Sequence, residues 1–269
     1  MTRIHPTAIV EDGARLGADV AIGPYSLVGR DVVVEDGVSL ESHVIVGGRT
    51  TIGARTRVSP FAAIGGEAQD LGHQGEDTAI VIGPDCVIRE YATIHRGTAS
   101  GRGTTRVGAR CFLMIGAHVA HDCLVGDHVI LTNQSTLGGH AEIGEYAILG
   151  GLAAVQQWTR VGAHAFVAGL TGVTRDVVPF VMVTGYRDSL AGINVTGLKR
   201  RGFDREAIHA LRAAYEDFFF TAGPRAERIE RLAERFGEVA AVRRLIDFLR
   251  ATGGRPMSLP RRRGASQHE

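Results

Sequence analysis

Cysteine is scarce in this chain of 269 residues, with only Cys86, Cys111 and Cys123, and none of them in a paired CxxC spacing. Such a set excludes a disulfide framework and a thiolate zinc site, and reads as small buried apolar residues. Long apolar runs are missing too. No segment approaches the ~18 consecutive apolar residues of a membrane span, and the opening "MTRIHPTAIVEDG" lacks the apolar core of a secretory signal, so a cytoplasmic protein is expected. Neither sign of charge dominates, the formal net charge being +1, and nothing points to nucleic acid as a partner. The balance is uneven along the chain, however. Residues 199–269 hold 16 Lys/Arg against 10 Asp/Glu, which makes the C-terminal end basic.

Glycine is what the chain has in surplus. Thirty-six glycines, about 13% against the usual ~7%, without a Pro-rich or Ser-rich tract, imply glycine used at fixed positions rather than in linkers. A repeat accounts for them. Aliphatic residues recur every sixth position from Ile4 through Val10, Leu16, Ile22 and onward to Ile64, again at Ile82, Ile88 and Ile94, and then from Val107 without a miss to Val173. Neither a helix nor an ordinary amphipathic strand has a period of six, whereas the hexapeptide parallel β-helix does. The predicted fold is therefore mainly β: a left-handed parallel β-helix, its handedness taken from the fold family, with three hexads per 18-residue coil. Glycine commonly follows the aliphatic residue, which suggests a corner whose own backbone conformation a Cβ would obstruct.

Two interruptions break the repeat, at about 65–81 and 95–106, and are expected to be outward excursions carrying "GGEAQDLGHQGEDT" and "HRGTASGRGTT". The repeat stops after Pro179, which places the β-helix at 1–190. From Asp204, a predicted helix cap, apolar residues take helical spacing, with Pro224 at a second helix start and Gly253 and Gly254 at the close. This predicts a small C-terminal helical domain over 191–254, followed by a disordered tail over 255–269.

Hexads eighteen residues apart share one side of such a prism, stacked about 4.8 Å apart. "VAHDCL" at 119, "LGGHAE" at 137 and "VQQWTR" at 155 therefore bring His121, Gly138-Gly139-His140 and Gln156-Gln157-Trp158 onto one face. His95 and Arg96 lie one coil below His121, and His118 stands at the adjoining corner. Strand alternation predicts that Asp122 points to a different side from His121. Convergence of three histidines with a Gln and an Arg suits a site in which a histidine takes a proton from a hydroxyl near neutral pH, with a glycine N–H as an oxyanion donor. No Ser, Cys or Lys stands beside the histidines as a nucleophile, which favours direct attack by the acceptor. A flat face needs a second wall, and three chains packed side by side would supply it, so a homotrimer is expected.

The stretches "IREYATIHRGT" (88–98), "AHVAHDCLVG" (117–126) and "GLKRRGF" (197–203), together with "QDL" (69–71), resemble the UDP-N-acetylglucosamine O-acyltransferase family of lipid A biosynthesis, over nearly the whole chain. The resemblance implies transfer of a (3R)-hydroxyacyl group from acyl carrier protein to the 3-hydroxyl of UDP-N-acetylglucosamine, with no cofactor and no metal. It implies His121 as general base and Gly139 as oxyanion donor. It further implies Asp70, His118, His140, Gln157, Asn194, Arg200 and Arg201 as substrate contacts, and Gly169 as the residue that measures acyl length. Acyl carrier protein, being acidic, would suit the basic C-terminal end. Gly72, Tyr186 and Thr196 depart from the family pattern on the sugar side, which leaves a 3-amino acceptor open beside the 3-hydroxyl. A three-histidine zinc site and a non-catalytic trimeric scaffold are the rival readings.

Overall fold

Each hexad folds as a two-residue strand and a tight turn, as in Leu27–Val28, Ile130–Leu131 and Ile148–Leu149. The structure is a computed structural model that describes residues 1–185, 188–252 and 254–261. Among the described residues the strands stack into three sheets of eleven, nine and eight, parallel throughout except for the last pair of the largest. Register steps by eighteen, Leu27 opposite Ile45 and Ile130 opposite Ile148, so each sheet is one side of a left-handed triangular prism. The hexad aliphatics fill the interior: Ile88, Ile94, Leu113, Val119, Leu131, Leu137 and Leu149 have no exposed surface. At about 1.5–3 kcal/mol for each such side chain, this column is the main source of the prism's stability. The three cysteines are buried with it.

The corners correct the expectation about glycine. Left-handed backbone occurs three residues after the inward aliphatic, at positions that are seldom glycine: Tyr25, His43, Asp122, His140, Trp158 and His164 all have φ between 58° and 65°. The glycine directly after the aliphatic answers a different constraint. A Cβ at Gly126, Gly144 or Gly150 would stand 2.6, 2.4 or 2.3 Å from a backbone nitrogen of the next coil. It is the neighbouring coil, stacked at strand distance, that leaves no room.

Both interruptions leave the prism. Ile52 pairs with Ile82, thirty positions on instead of eighteen, and Ile82 with Val107, twenty-five on, so pairing resumes beyond the extra residues, with one shift where Gly66 pairs with His95. After the last coil an antiparallel pair, Val181–Thr184 with Ser189–Ile193, ends the eleven-stranded sheet. Among the described residues four helices follow: α1 (Val195–Arg200), α2 (Arg205–Phe220), α3 (Arg225–Phe236) and α4 (Ala240–Ala251). Asp204 caps α2, its Oδ1 accepting from the Ala207 N–H at 2.7 Å. The apolar faces of α2, α3 and α4 meet through Leu211, Phe218, Leu232, Val242 and Leu245, all buried.

The tail differs from expectation over 255–261. There Met257 bridges Asp176 and Pro260 bridges Leu190, and Ser258 Oγ donates to the buried Asp188 at 3.2 Å. A buried carboxylate needs donors, and Ser258 is one of those it finds. Residues 262–269, Tyr186 and Gly253 lie outside the described residues.

Candidate active site

His121 closes the strand pair His118–Val119 at a corner, with Asp122 in left-handed conformation (φ 59°) directly after it. Because Asp122 lies in the turn, strand alternation does not govern it, and its side chain swings beside that of His121. His121 Nδ1 lies 3.0 Å from Asp122 Oδ2. A carboxylate only accepts, so Nδ1 carries the hydrogen and Nε2 keeps its lone pair.

The second excursion holds that carboxylate. Oδ2 accepts from the Thr98 N–H at 2.9 Å and the Thr98 hydroxyl at 2.7 Å, and Oδ1 accepts from the Arg102 N–H at 2.7 Å. Arg102 also donates to the Asp122 carbonyl at 2.8 Å and pairs with Glu142. Gly101 lies so close that a Cβ would stand 2.6 Å from Asp122 Oδ2. Asp122 is fully buried. Burial alone would raise its pKa, but the hydrogen bonds from Thr98 and His121 outweigh it and hold the carboxyl below the usual range. A fixed anion beside a histidine both orients the ring and stabilises the imidazolium that forms when the ring takes a proton.

His121 and His140 meet edge to face, ring centroids 5.0 Å apart, and His140 Nε2 lies 3.8 Å from Asp122 Oδ2. Burial lowers the His140 pKa against the pull of Asp122, with His121 and Arg102 adding to the fall. Between these rings sits Gly139. A Cβ there would stand 2.4 Å from His121 Nε2, so a side chain is excluded where a substrate must approach. Among the described residues the Gly139 N–H has no hydrogen-bond partner. His118, in the strand before the corner, engages Thr93 Oγ1 at 2.8 Å, the coil-to-coil neighbour its register provides, and its ring lies tilted against that of His95 at 5.3 Å. Burial and the nearby His95 push its pKa down to about 4.

The other candidates spread outward. Asp70 is exposed on the first excursion, near enough for its charge to act on His140, and Gln157 is exposed beside Trp158. Asn194 is buried and engaged: its Oδ1 caps α1 through the Gly197 N–H at 3.1 Å and its amide donates to the His164 carbonyl at 3.1 Å. It borders a separate cleft of about 300 Å³ with Thr196, Arg200 and Arg201. Arg201 Nη1 is buried there without a partner, and its guanidinium lies 5.3 Å over the Tyr146 ring. Gly169 stands exposed at another corner, against Gly151, whose carbonyl oxygen an added Cβ would meet at 3.1 Å. A larger cleft of about 650 Å³ runs between the eight-stranded sheet and Phe248 of α4, away from the histidines.

His121, Asp122 and His140 offer ligand atoms within 4.8 Å of one another. Asp122 is already engaged by Thr98, Arg102 and His121, however, and His118, which a three-histidine zinc site would draw on, is turned to Thr93. The arrangement is that of an imidazole oriented by a hydrogen-bonded carboxylate. Sequence reasoning turned Asp122 away from His121, and it placed Trp158 on this face without giving it a role. The "HD" pair at a corner was the available signal for the first, since Asp is among the residues that tolerate left-handed backbone.

Residues 104–139 match the profile of bacterial transferase hexapeptides, and residues 176–257 match that of the second domain of UDP-N-acetylglucosamine O-acyltransferase. An acyl-[acyl-carrier-protein]–UDP-N-acetylglucosamine O-acyltransferase from Azorhizobium caulinodans is 52% identical over 99% of this chain and 98% of its own length. A protein of the same name from Caulobacter vibrioides is 51% identical over 96% and 98%. Among solved structures, the UDP-N-acetylglucosamine O-acyltransferase of Moraxella catarrhalis superposes with a TM-score of 0.92 at 38% identity, covering 96% of this chain and 99% of that one. The Francisella novicida UDP-N-acetylglucosamine acyltransferase gives 0.91 at 34%, covering 99% of each.

Proposed function

The chain belongs to the family of acyl-[acyl-carrier-protein]–UDP-N-acetylglucosamine O-acyltransferases, and from that premise we propose that His121 is the general base of a direct acyl transfer from acyl carrier protein to the 3-hydroxyl of UDP-N-acetylglucosamine. The observation that carries the mechanism is the His121 Nδ1 to Asp122 contact, which leaves Nε2 free as an acceptor. Nε2 takes the proton of the sugar hydroxyl as its oxygen attacks the thioester carbonyl. The tetrahedral oxyanion lies within reach of the Gly139 N–H. The C–S bond then breaks, and the departing thiolate takes the proton back from His121. The thioester supplies an activated acyl group, so the reaction draws on no resident cofactor.

Arg200 and Arg201 suit the diphosphate, since guanidinium matches phosphate oxygens with paired donors and Arg201 Nη1 is buried without another partner. Asp70, His118, His140, Gln157 and Asn194 line the path between sugar and nucleotide. Gly169 leaves the acyl groove open for a long (3R)-hydroxyacyl chain. Homotrimer formation in the cytoplasm completes this reading, a neighbouring copy walling the open face on which half-exposed Trp158 and exposed Gln157 stand.

The test is mass spectrometry of the product formed from a set of hydroxyacyl carrier proteins with UDP-N-acetylglucosamine and, separately, its 3-amino analogue. Gly72 and Thr196 make that second acceptor worth including. An ester from the first acceptor is expected, lost by at least about 10²-fold in His121→Ala with the fold retained. An amide from the analogue alone would reassign the acceptor. No product from either, in folded protein, refutes acyl transfer, and full activity in His121→Ala refutes the assigned base.

A further inference from the structure

The single tryptophan of the chain lies against the site. The Trp158 ring is parallel to that of His140, centroids 3.6 Å apart and planes within 5°, closer than any other ring pair among the described residues. His140 has little else to hold it. Its Nδ1 is buried without a partner, and Nε2 reaches no nearer than 3.8 Å to Asp122. With neither nitrogen hydrogen-bonded among the described residues, the plane of this ring is set by stacking.

Trp158 acts on the other side of His121 as well. Its backbone N–H donates to the Gly139 carbonyl at 2.9 Å, the bond by which the corner residue of one coil reaches the coil below, as in His140 to His121 and His164 to Glu145, and this seats the indole beside the Gly139-His140 segment. The Trp158 carbonyl in turn accepts from the Arg255 guanidinium, at the start of the ordered tail. The residue thus grips both neighbours of the base, one by its ring and one by its backbone, and is itself tied to a distant part of the chain.

We propose that Trp158 is a positioning residue of the transfer: its indole sets the plane of His140, and through that ring it holds His121 and Asp122 in working geometry. The proposal rests on the acyl-transfer reading. A misplacement of about 1 Å at a reacting group can cost about 10²-fold in rate, which sets the expected scale.

Two measurements test it in the full-length protein. In the first, kcat and KM for both substrates are compared among wild type, Trp158→Phe, Trp158→Leu and Trp158→Ala. Loss of stacking is expected to lower kcat by about 10²-fold in the Ala and Leu variants, with KM changed by less than about threefold and the pH profile displaced. Phe, which keeps a flat ring on the imidazole, should recover most of the rate. Either aliphatic variant with wild-type kcat and pH profile would reduce the stack to packing and overturn the proposal, whether or not the other variant folds.

The second measurement needs no turnover. Trp158 emission, followed from pH 8 down to the onset of acid unfolding, is expected to quench as His140 gains a proton, below the usual histidine range because burial lowers its pKa, and His140→Gln should abolish the change. The charged and titratable groups facing that ring are Asp122, His121, Arg102 and Asp70. No quench in wild type, or the same quench in His140→Gln, would refute the contact. Wild-type protein that forms no acylated sugar would overturn the acyl-transfer reading and the positioning role with it, while the emission titration still decides whether the rings are coupled.

Discussion

Asp122→Asn separates the two tasks this carboxylate performs. Its oxygens accept four hydrogen bonds, from the Thr98 N–H, the Thr98 hydroxyl and His121 Nδ1 on one oxygen and from the Arg102 N–H on the other. An amide offers one oxygen and one NH2. With its oxygen toward His121, the NH2 faces the Arg102 N–H, donor against donor. Turned round, the NH2 faces the Thr98 N–H and His121 Nδ1, which forces the imidazole hydrogen onto Nε2 and leaves no base. Either way a buried donor loses its acceptor at about 1–3 kcal/mol, and the charge that stabilises the imidazolium is gone.

Two readouts follow. Product formation should fall by at least about 10²-fold in kcat. Amide exchange within 98–102 should quicken by about 5- to 150-fold, the equivalent of 1–3 kcal/mol in local opening. Acid changes the comparison in a defined direction. The folded pKa of Asp122 lies below its unfolded value, so its contribution is full above about pH 4 and fades as pH falls through the folded pKa. The stability gap between variant and wild type should therefore narrow in acid. An Asn variant with wild-type kcat and unchanged exchange at Thr98 and Arg102 would refute the argument that the excursion holds the base.

His164→Phe should make the protein less sensitive to acid. His164 is buried between Tyr146 and Phe180, and burial pushes its pKa down to about 4 from 6.5. A depressed histidine loses stability as pH falls from its unfolded pKa to its folded one, here about 2 kcal/mol between pH 7 and pH 5. Phenylalanine already adopts this left-handed position at Phe61 and Phe180. Denaturant midpoints at the two pH values check it, and an unchanged pH dependence would sink it. Gly150→Ala, whose Cβ would stand 2.3 Å from the Gly169 nitrogen, should cost about 1–3 kcal/mol by the same measurement, whereas a neutral result would mean that the coils can part without penalty.

The repeat was legible because a prism asks one thing of every sixth residue, and register by eighteen follows from counting. That count alone placed His95 and Arg96 one coil below His121 and aligned the corners carrying His121, His140 and Trp158. What the count could not supply was direction at the corners. Asp122 was expected to face away because strand alternation was extended one residue too far, into a turn where φ is +59°. The ordered tail was hidden for another reason: its few apolar residues gave no sign that Ser258 would find the buried Asp188.

The interruptions turn out to matter more than the repeat for the chemistry. On an unmodified corner, the residue three after the inward aliphatic stays in water, as Tyr25 and Tyr91 do at 63% and 59% exposure. Asp122 occupies the equivalent place and has none, because the residues inserted after His95 fold back over it with Thr98 and Arg102 as donors. Burying a carboxylate without donors costs several kcal/mol, and burying it with them yields a fixed anion beside a histidine. A uniform prism would present His121 and Asp122 as two solvated side chains with free rotamers. Insertion of one Gly/Ser/Thr-rich loop at one corner converts them into a fixed carboxylate and an oriented imidazole, and beyond the loop Val107 returns to register between Ile82 and Val125.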